Sequence, residues 1–282
     1  MNKLKILVCT HKQSEYTRTE EPFFPIQAGK ALHPDLDLGF TCDNTGDNIS
    51  EKNDHYSELT VLYWGWKNIK DVEYIGLNHY RRYFDADINA DNIEKWLGAA
   101  DLIVVRSPKM ISQQECPDNL AHMTSQEDYY IFADTFLEIH PDYREGFVKY
   151  FYHSRFSYPY TMFISKKEIY DKFCEFMFPV FFAAEKRLKD HGYSRQKRTI
   201  GYFGEYSLGL FVTCFNLKVK RIPIIFHDAS TGHSKAALLL KKAWAVAGRF
   251  LDGFRPAPND ISIPADVKAG LLNDDIVLKN IK

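Results

Sequence analysis

No Cys-x-x-Cys pair occurs in this 282-residue chain, and its five cysteines, Cys9, Cys42, Cys116, Cys174 and Cys214, lie scattered in mostly apolar surroundings. An odd, unpatterned set argues against a disulfide framework and suits a reducing compartment. Uninterrupted apolar runs of membrane-spanning length are also lacking. The first run, Ile6-Leu7-Val8-Cys9-Thr10, is too short for a signal-peptide core and no small-residue cleavage site follows it, so the expected location is the cytoplasm. Charge of one sign is not in excess. With 36 basic and 37 acidic residues the formal charge is -1, which removes any global field for nucleic acid and makes binding a local matter. Neither a Gly-x-Gly-x-x-Gly fingerprint nor a Gly-Lys-Ser/Thr phosphate loop is present, which counts against a dinucleotide-dependent enzyme that modifies nucleotide sugars.

What is present is enough apolar material for a large core: 45% hydrophobic and 15% aromatic residues. Lys5 to Thr10 reads as a strand buried on both faces, as in a parallel sheet flanked by helices. Thr10, His11 and Lys12 then stand at its carboxyl end, where open α/β sheets bind ligands; an ordinary polar loop is the plainer alternative. Glu20 to Gly39, interrupted by Pro22, Pro25 and Pro34, reads as an irregular excursion. The turn-forming run Cys42 to Ser50 offers amides and short side chains to a ligand, or serves as lead-in to a helix over 53–68 with an apolar stripe at Tyr56, Leu59, Leu62, Tyr63 and Trp66. Glu58 on that helix reads as surface or as a minor candidate. Next, Tyr74-Ile75-Gly76-Leu77-Asn78-His79-Tyr80-Arg81-Arg82-Tyr83-Phe84 is a buried strand ending in a basic, aromatic rim. Paired guanidinium forks suit a diphosphate, so the rim is either an anion site or a solvated turn.

Asp85-Ala86-Asp87 is a literal D-x-D, able to hold a divalent ion bridging a diphosphate, although the acidic loop after it equally reads as a helix start. Asp101 to Val105 is a further strand, and strand-helix alternation implies a mixed, mostly parallel α/β sheet. Cys116, His122, Glu127 and Asp128 are zinc-ligand types without a familiar ligand spacing. Aromatic helices follow through Phe151, then a strand near Met162-Phe163-Ile164 and an amphipathic helix from Lys167 through Leu188, where Pro179 predicts a kink. Glu205, near a helix start, either complements the helix dipole or acts as a general base. Ile222 to Phe226 is a last strand leading to His227 and Asp228. Ser234 to Phe254 sets apolar residues among Lys235, Lys241, Lys242 and Arg249, the pattern of a helix lying on an anionic membrane or of one packed on the domain. The tail from Pro256 reads as peripheral.

Several segments together resemble a bacterial family named as a domain of unknown function, whose members occur among capsular, exopolysaccharide and lipopolysaccharide biosynthesis proteins. They are Phe40-Thr41-x-Asp43-Asn44-Thr45-Gly46-Asp47-Asn48-Ile49-Ser50, Glu58-Leu59-Thr60 with Tyr63-Trp64-x-Trp66-Lys67-Asn68, His79-Tyr80-Arg81-Arg82-Tyr83, Met162-Phe163-Ile164 and Arg198-x-x-Gly201-Tyr202-x-x-Glu205. The likeness covers residues 5 to 230. It implies a GT-A-like glycosyltransferase domain over 1–230, with a C-terminal amphipathic helix and tail over 231–282. It implies transfer of a hexosyl unit, galactosyl or galactofuranosyl among the choices, from a UDP-sugar to a glycan or lipid-linked acceptor. On that reading Thr10, His11, Lys12, Asp43 and Asn48 cradle the nucleotide, and His79, Arg81 and Arg82 bind the diphosphate. Glu205, with Asp128 second, is the general base, and His122, Thr161 and His227 attend the acceptor. Thr161 replaces the family's Asn, and Tyr206-Ser207 replaces its Arg-Leu after Glu205. Either no cofactor is needed, or a divalent ion such as Mn2+ or Mg2+ on Asp85 and Asp87. Expected partners are donor, acceptor and the inner-membrane face; nucleic acid is not expected. The rival reading is a non-catalytic nucleotide-sugar or glycan binding module of a polysaccharide-assembly complex.

Overall fold

The computed structural model describes residues 2–107, 115–188, 197–227 and 258–281, and within 228–257 residues 240, 243, 244, 246, 247 and 250. The chain divides into two compact units. Met1–Ser107, Tyr158–Met177 and Asn216–Asp228 form the first, and Pro108–Ser157, Phe178–Phe215 and Ala229–Lys282 the second.

Every described strand lies in the first unit. They are β1 (Asn2–Thr10), β2 (Phe23–Gln27), β3 (Thr41–Cys42), β4 (Val72–His79), β5 (Arg82–Phe84), β6 (Leu102–Val105), β7 (Phe163–Lys166), β8 (Val219–Ile222) and β9 (Ile224–Phe226). Their order is β3-β2-β1-β4-β7-β6-β8, with β5 pairing β4 and β9. The β1-β2, β2-β3, β1-β4 and β6-β8 ladders are parallel. The β4-β5, β4-β7, β5-β9 and β6-β7 ladders are antiparallel. The sheet is therefore mixed, as the sequence implies, because β7 inserts head-to-tail between β4 and β6.

The continuous apolar runs behave as expected of a sheet covered on both faces. Leu4, Ile6, Leu7 and Val8 in β1 are all buried, each contributing roughly 1.5–3 kcal/mol relative to exposure. The helix expected over 53–68 is broken in two, α1 (Asn53–Tyr56) and α2 (Leu59–Asn68), by Ser57 at φ 52°. α2 lies close over the sheet because Gly65 has no side chain: an added Cβ would stand 2.4 Å from Leu7 Cδ1 and 2.6 Å from the Tyr170 hydroxyl. α3 (Ile93–Leu97) precedes β6.

Two sequence expectations are corrected in this unit. The excursion Glu20 to Gly39 contains β2, which pairs with β1 in parallel register, Val8 opposite Pro25. Proline is tolerated because β3 pairs only with Ile26 and Gln27, leaving that side of Pro25 without a ladder partner. The last strand is split at Pro223 into β8 and β9, which join different neighbours.

The second unit is helical: α4 (Glu115–Met123), α5 (Gln126–Ile139), α6 (Arg144–His153), α8 (Thr199–Cys214) and α9 (Ala265–Asn273), with α7 (Lys167–Arg187) beginning in the first unit and running through Pro179 into the second. Its core is aromatic, with Phe147 stacked on Phe151 at 4.5 Å and Phe132 against Phe203 at 4.6 Å. The segment 258–281, expected to be peripheral, is instead stitched onto this core. Asp134, fully buried on α5, accepts from Arg187 Nη2 at 2.8 Å, from the Asn280 amide at 2.5 Å and from the Ile281 amide at 3.2 Å.

Candidate functional site

Strand order alone selects a place on the sheet. From β1 the chain steps to β2 and β3 on one side, then returns to lay β4 on the other side of β1. The carboxyl ends of β1 and β4 therefore flank a topological switch point, where open α/β sheets hold ligands. Thr10 closes β1 and His79 closes β4, and His79 pairs directly with Arg82 across a hairpin whose two-residue turn is Tyr80-Arg81. The tight reversal is what gathers His79, Arg81 and Arg82.

The Tyr80 ring organises this rim. Its amide donates to the Cys9 carbonyl at 3.1 Å, tying the hairpin to β1. His11 meets the ring edge-on at 5.3 Å and the Arg81 guanidinium lies 5.0 Å from its centroid. The Arg82 guanidinium lies 4.4 Å from the Tyr160 ring and 5.4 Å from the Phe226 ring. Cation-on-ring contacts help hold a guanidinium in place without using its N–H groups.

Tyr160 also holds His79, whose Nε2 lies 2.8 Å from the Tyr160 carbonyl. A carbonyl only accepts, so His79 carries its proton on Nε2 in this hydrogen bond. The carbonyl is presented by an unusual backbone: Tyr160 has φ 69° and Thr161 φ 53°, two consecutive left-handed residues, one of them β-branched. Each costs on the order of 1–3 kcal/mol, and such strain gathers at functional sites. Thr161 is itself fully buried and donates from Oγ1 to Glu58 Oε1 at 3.3 Å, with Glu58 only 6% exposed. Glu58, expected as a surface acid or a minor candidate, is thus a buried carboxylate near the rim.

The loop after β3 is built around Asp43. Its Oδ2 accepts from the Gly29 amide at 2.9 Å and from Thr60 Oγ1 at 2.7 Å. Its Oδ1 accepts from the Lys30 amide at 3.2 Å and from Ser50 Oγ at 2.5 Å. Both oxygens of this fully buried carboxylate are thereby engaged in joining the 28–30 turn, the loop and α2. Asn48 staples the same loop, donating to the Gly46 carbonyl at 2.8 Å and accepting from the Ser50 amide at 3.2 Å. From α2, Trp64 Nε1 donates to the Thr45 carbonyl at 3.0 Å, Asn68 Nδ2 to the Asp47 carbonyl at 2.8 Å and the Tyr63 hydroxyl to Asp47 Oδ1 at 3.1 Å. Burial first, then the Asp47 carboxylate, push the Tyr63 hydroxyl up to about 12.

The remaining candidates divide between the units. His227 lies at the end of β9, stacked on Tyr16 at 4.9 Å, and its amide donates to the Arg81 carbonyl at 3.0 Å, so it joins the rim. Thr10 is buried, with Oγ1 donating to the Lys12 carbonyl at 3.0 Å, while His11 and Lys12 are exposed. Asp85 and Asp87 are exposed just past β5. Two carboxylates are a thin donor set for a six-coordinate ion, and among the described residues no group of three or more His, Cys, Asp or Glu could hold a metal. His122, Asp128 and Glu205 belong to the second unit: His122 exposed on α4, Asp128 buried in the first turn of α5 with its amide donating to the Ser125 cap at 3.0 Å, and Glu205 half-buried on α8. The Cys116 side chain of the zinc-type set lies outside the described residues, as do Asp228 and the basic residues of 234–254. Sequence reading missed Tyr160, Tyr16 and Phe226 because an aromatic residue beside a strand looks the same whether it fills a core or carries a guanidinium.

A cavity of about 410 Å3 opens elsewhere, lined by Tyr74, Glu94, Asp101, Lys166 and Glu168. It sits at the amino ends of β4 and β6, away from the switch point.

Residues 5–216 match the family described as Domain of unknown function (DUF4422). The chain belongs to the DUF4422 family. Among solved structures, that of WbbM, a bifunctional glycosyltransferase in its apo form, is similar over 80% of this chain, with a TM-score of 0.72 and 25% sequence identity. This DUF4422 chain spans 45% of the WbbM chain. The shared architecture is the α/β, GT-A-like mixed sheet with flanking helices. No curated protein is similar enough to be matched. No helix among the described residues is long and apolar enough to cross a membrane.

Proposed function

We propose that this DUF4422 chain is a glycosyltransferase that moves a hexosyl unit, galactosyl or galactofuranosyl among the choices, from a UDP-sugar to a glycan or lipid-linked acceptor. Its setting is bacterial surface-polysaccharide synthesis at the cytoplasmic face of the inner membrane. The observation that carries the reading is the gathering of His79, Arg81 and Arg82 at the switch point between β1 and β4, in a fold similar to that of a glycosyltransferase. When the bond from the anomeric carbon to the diphosphate breaks, negative charge grows on the departing UDP. Two guanidinium groups over the Tyr80 and Tyr160 rings, with His79 oriented beside them by the Tyr160 carbonyl, supply fixed positive charge where that anion forms. His11 and Lys12, with the amides of the Asp43-anchored loop, flank the nucleotide; Asp43 and Asn48 act by shaping that loop.

Glu205 is the proposed general base that takes the acceptor hydroxyl proton, with Asp128 second and His122, Thr161 and His227 supporting the acceptor. In isothermal calorimetry, Arg81→Ala with Arg82→Ala abolishes UDP binding while thermal stability is kept; unchanged affinity would sink the donor-site reading. In an assay with a panel of UDP-sugars and glycolipid acceptors, Glu205→Gln retains UDP binding and loses turnover. UDP binding by the wild type without transfer to any acceptor would favour the binding-module reading.

A further inference from the structure

The segment 234–254 leaves two destinations open for its apolar face, the body of the protein or a membrane. The structure discriminates between them. Residues 240, 243, 244, 246, 247 and 250 are helical and all are exposed. Among them Leu240 is 61%, Trp244 64%, Val246 60% and Phe250 70% exposed. At about 100° per residue these six positions fall within an arc of about 160°, one face of a helix. A helix packed on its own domain would bury that face first. Here the large apolar side chains of the face are the ones in solvent.

The sequence of the same segment carries Lys241, Lys242 and Arg249. Counting Lys235, the segment has four basic residues against the one acid Asp252. We infer that this helix face docks on an anionic phospholipid surface, with Leu240, Trp244, Val246 and Phe250 entering the boundary between headgroups and acyl chains. Charge favours this occupant over a second copy of the chain. Symmetric pairing would bring two cationic segments together, whereas anionic headgroups attract each of them. Tryptophan, apolar in body and polar at its N–H, is suited to that boundary. The inference stands on exposure and charge and does not depend on the donor-site reading.

Co-sedimentation of the full chain with vesicles tests it. The wild type pellets with vesicles of phosphatidylethanolamine and phosphatidylglycerol, pellets less with phosphatidylcholine alone, and is released by added salt. Trp244→Ser with Phe250→Ser stays in the supernatant at an unchanged thermal midpoint, since both side chains are exposed. Lys241→Gln with Lys242→Gln weakens binding by about fivefold for each lysine removed. The proposal is overturned if the wild type does not bind phosphatidylglycerol vesicles or if the Trp244, Phe250 variant binds them unchanged. It is likewise overturned if the face instead forms a lipid-independent dimer that the same variant dissolves.

Discussion

At the scale of single residues, Tyr160 does two jobs for the rim. Its carbonyl fixes the protonated nitrogen of His79, and its ring supports the Arg82 guanidinium 4.4 Å from its centroid. The first job belongs to the backbone and survives substitution; the second belongs to the ring. Tyr160→Phe is therefore expected to bind UDP as the wild type does, whereas Tyr160→Leu weakens binding by about two- to fivefold, the worth of an exposed cation-ring contact. Calorimetry on both variants separates the two jobs, because equal losses would place the effect in the hydroxyl or the backbone. Asp43 is a different kind of residue. A buried carboxylate surrounded by four donors is stabilised without a basic partner, and its removal would orphan two amides and two hydroxyls. On the proposed reading its effect on nucleotide binding runs through the shape of the loop.

At the scale of elements, hydrogen-bonded hubs join pieces that the local sequence leaves independent. In the sheet unit, the β4–β5 hairpin and the α2-stapled loop are such pieces. In the helical unit, the hub is Asp134 on α5, which collects the end of α7 through Arg187 and the chain end through Asn280 and Ile281. Asp134→Ala leaves the partly buried Arg187 without its salt bridge to Asp134 and two amides without an acceptor. The expected cost is about 3–5 kcal/mol. Urea denaturation reads the loss, and limited proteolysis is expected to cut within 258–281 earlier than in the wild type. An unchanged cleavage pattern would mean that the apolar contacts of Ile261, Val267, Leu271 and Ile276 hold the segment by themselves.

For the whole molecule, a formal charge of -1 means that no long-range field draws an anionic donor in. On the proposed reading affinity comes from the cluster of His79, Arg81 and Arg82, and its two guanidinium charges are sufficient in kind to meet a diphosphate without a divalent ion. Turnover is therefore expected to survive exhaustive chelation. Restoration of a chelated, inactive protein by Mn2+ would reverse this and make Asp85 and Asp87 the ligands to mutate.

Much of this was written in local pattern. Continuous apolar runs are dictated by burial on both faces, so β1, β4 and β6 were legible, as was the polar rim that follows β4. The alternation of Lys and Arg with large apolar residues over 234–254 likewise carried its own amphipathic period. Other features depend on partners far along the chain and leave no local period. β2 hides behind its prolines because only its pairing with β1 makes Pro25 acceptable. The antiparallel entry of β7 is a matter of which strands meet, and the left-handed Tyr160-Thr161 turn is hydrogen-bonded to Glu58 and His79, which lie 103 and 81 residues away along the chain. The sequence by itself determined the sheet's apolar strands and the cationic end of β4. Only the tertiary structure decided which aromatic rings carry the arginines and that Leu240, Trp244, Val246 and Phe250 are exposed, because side-chain contact and exposure are set by what folds against each residue.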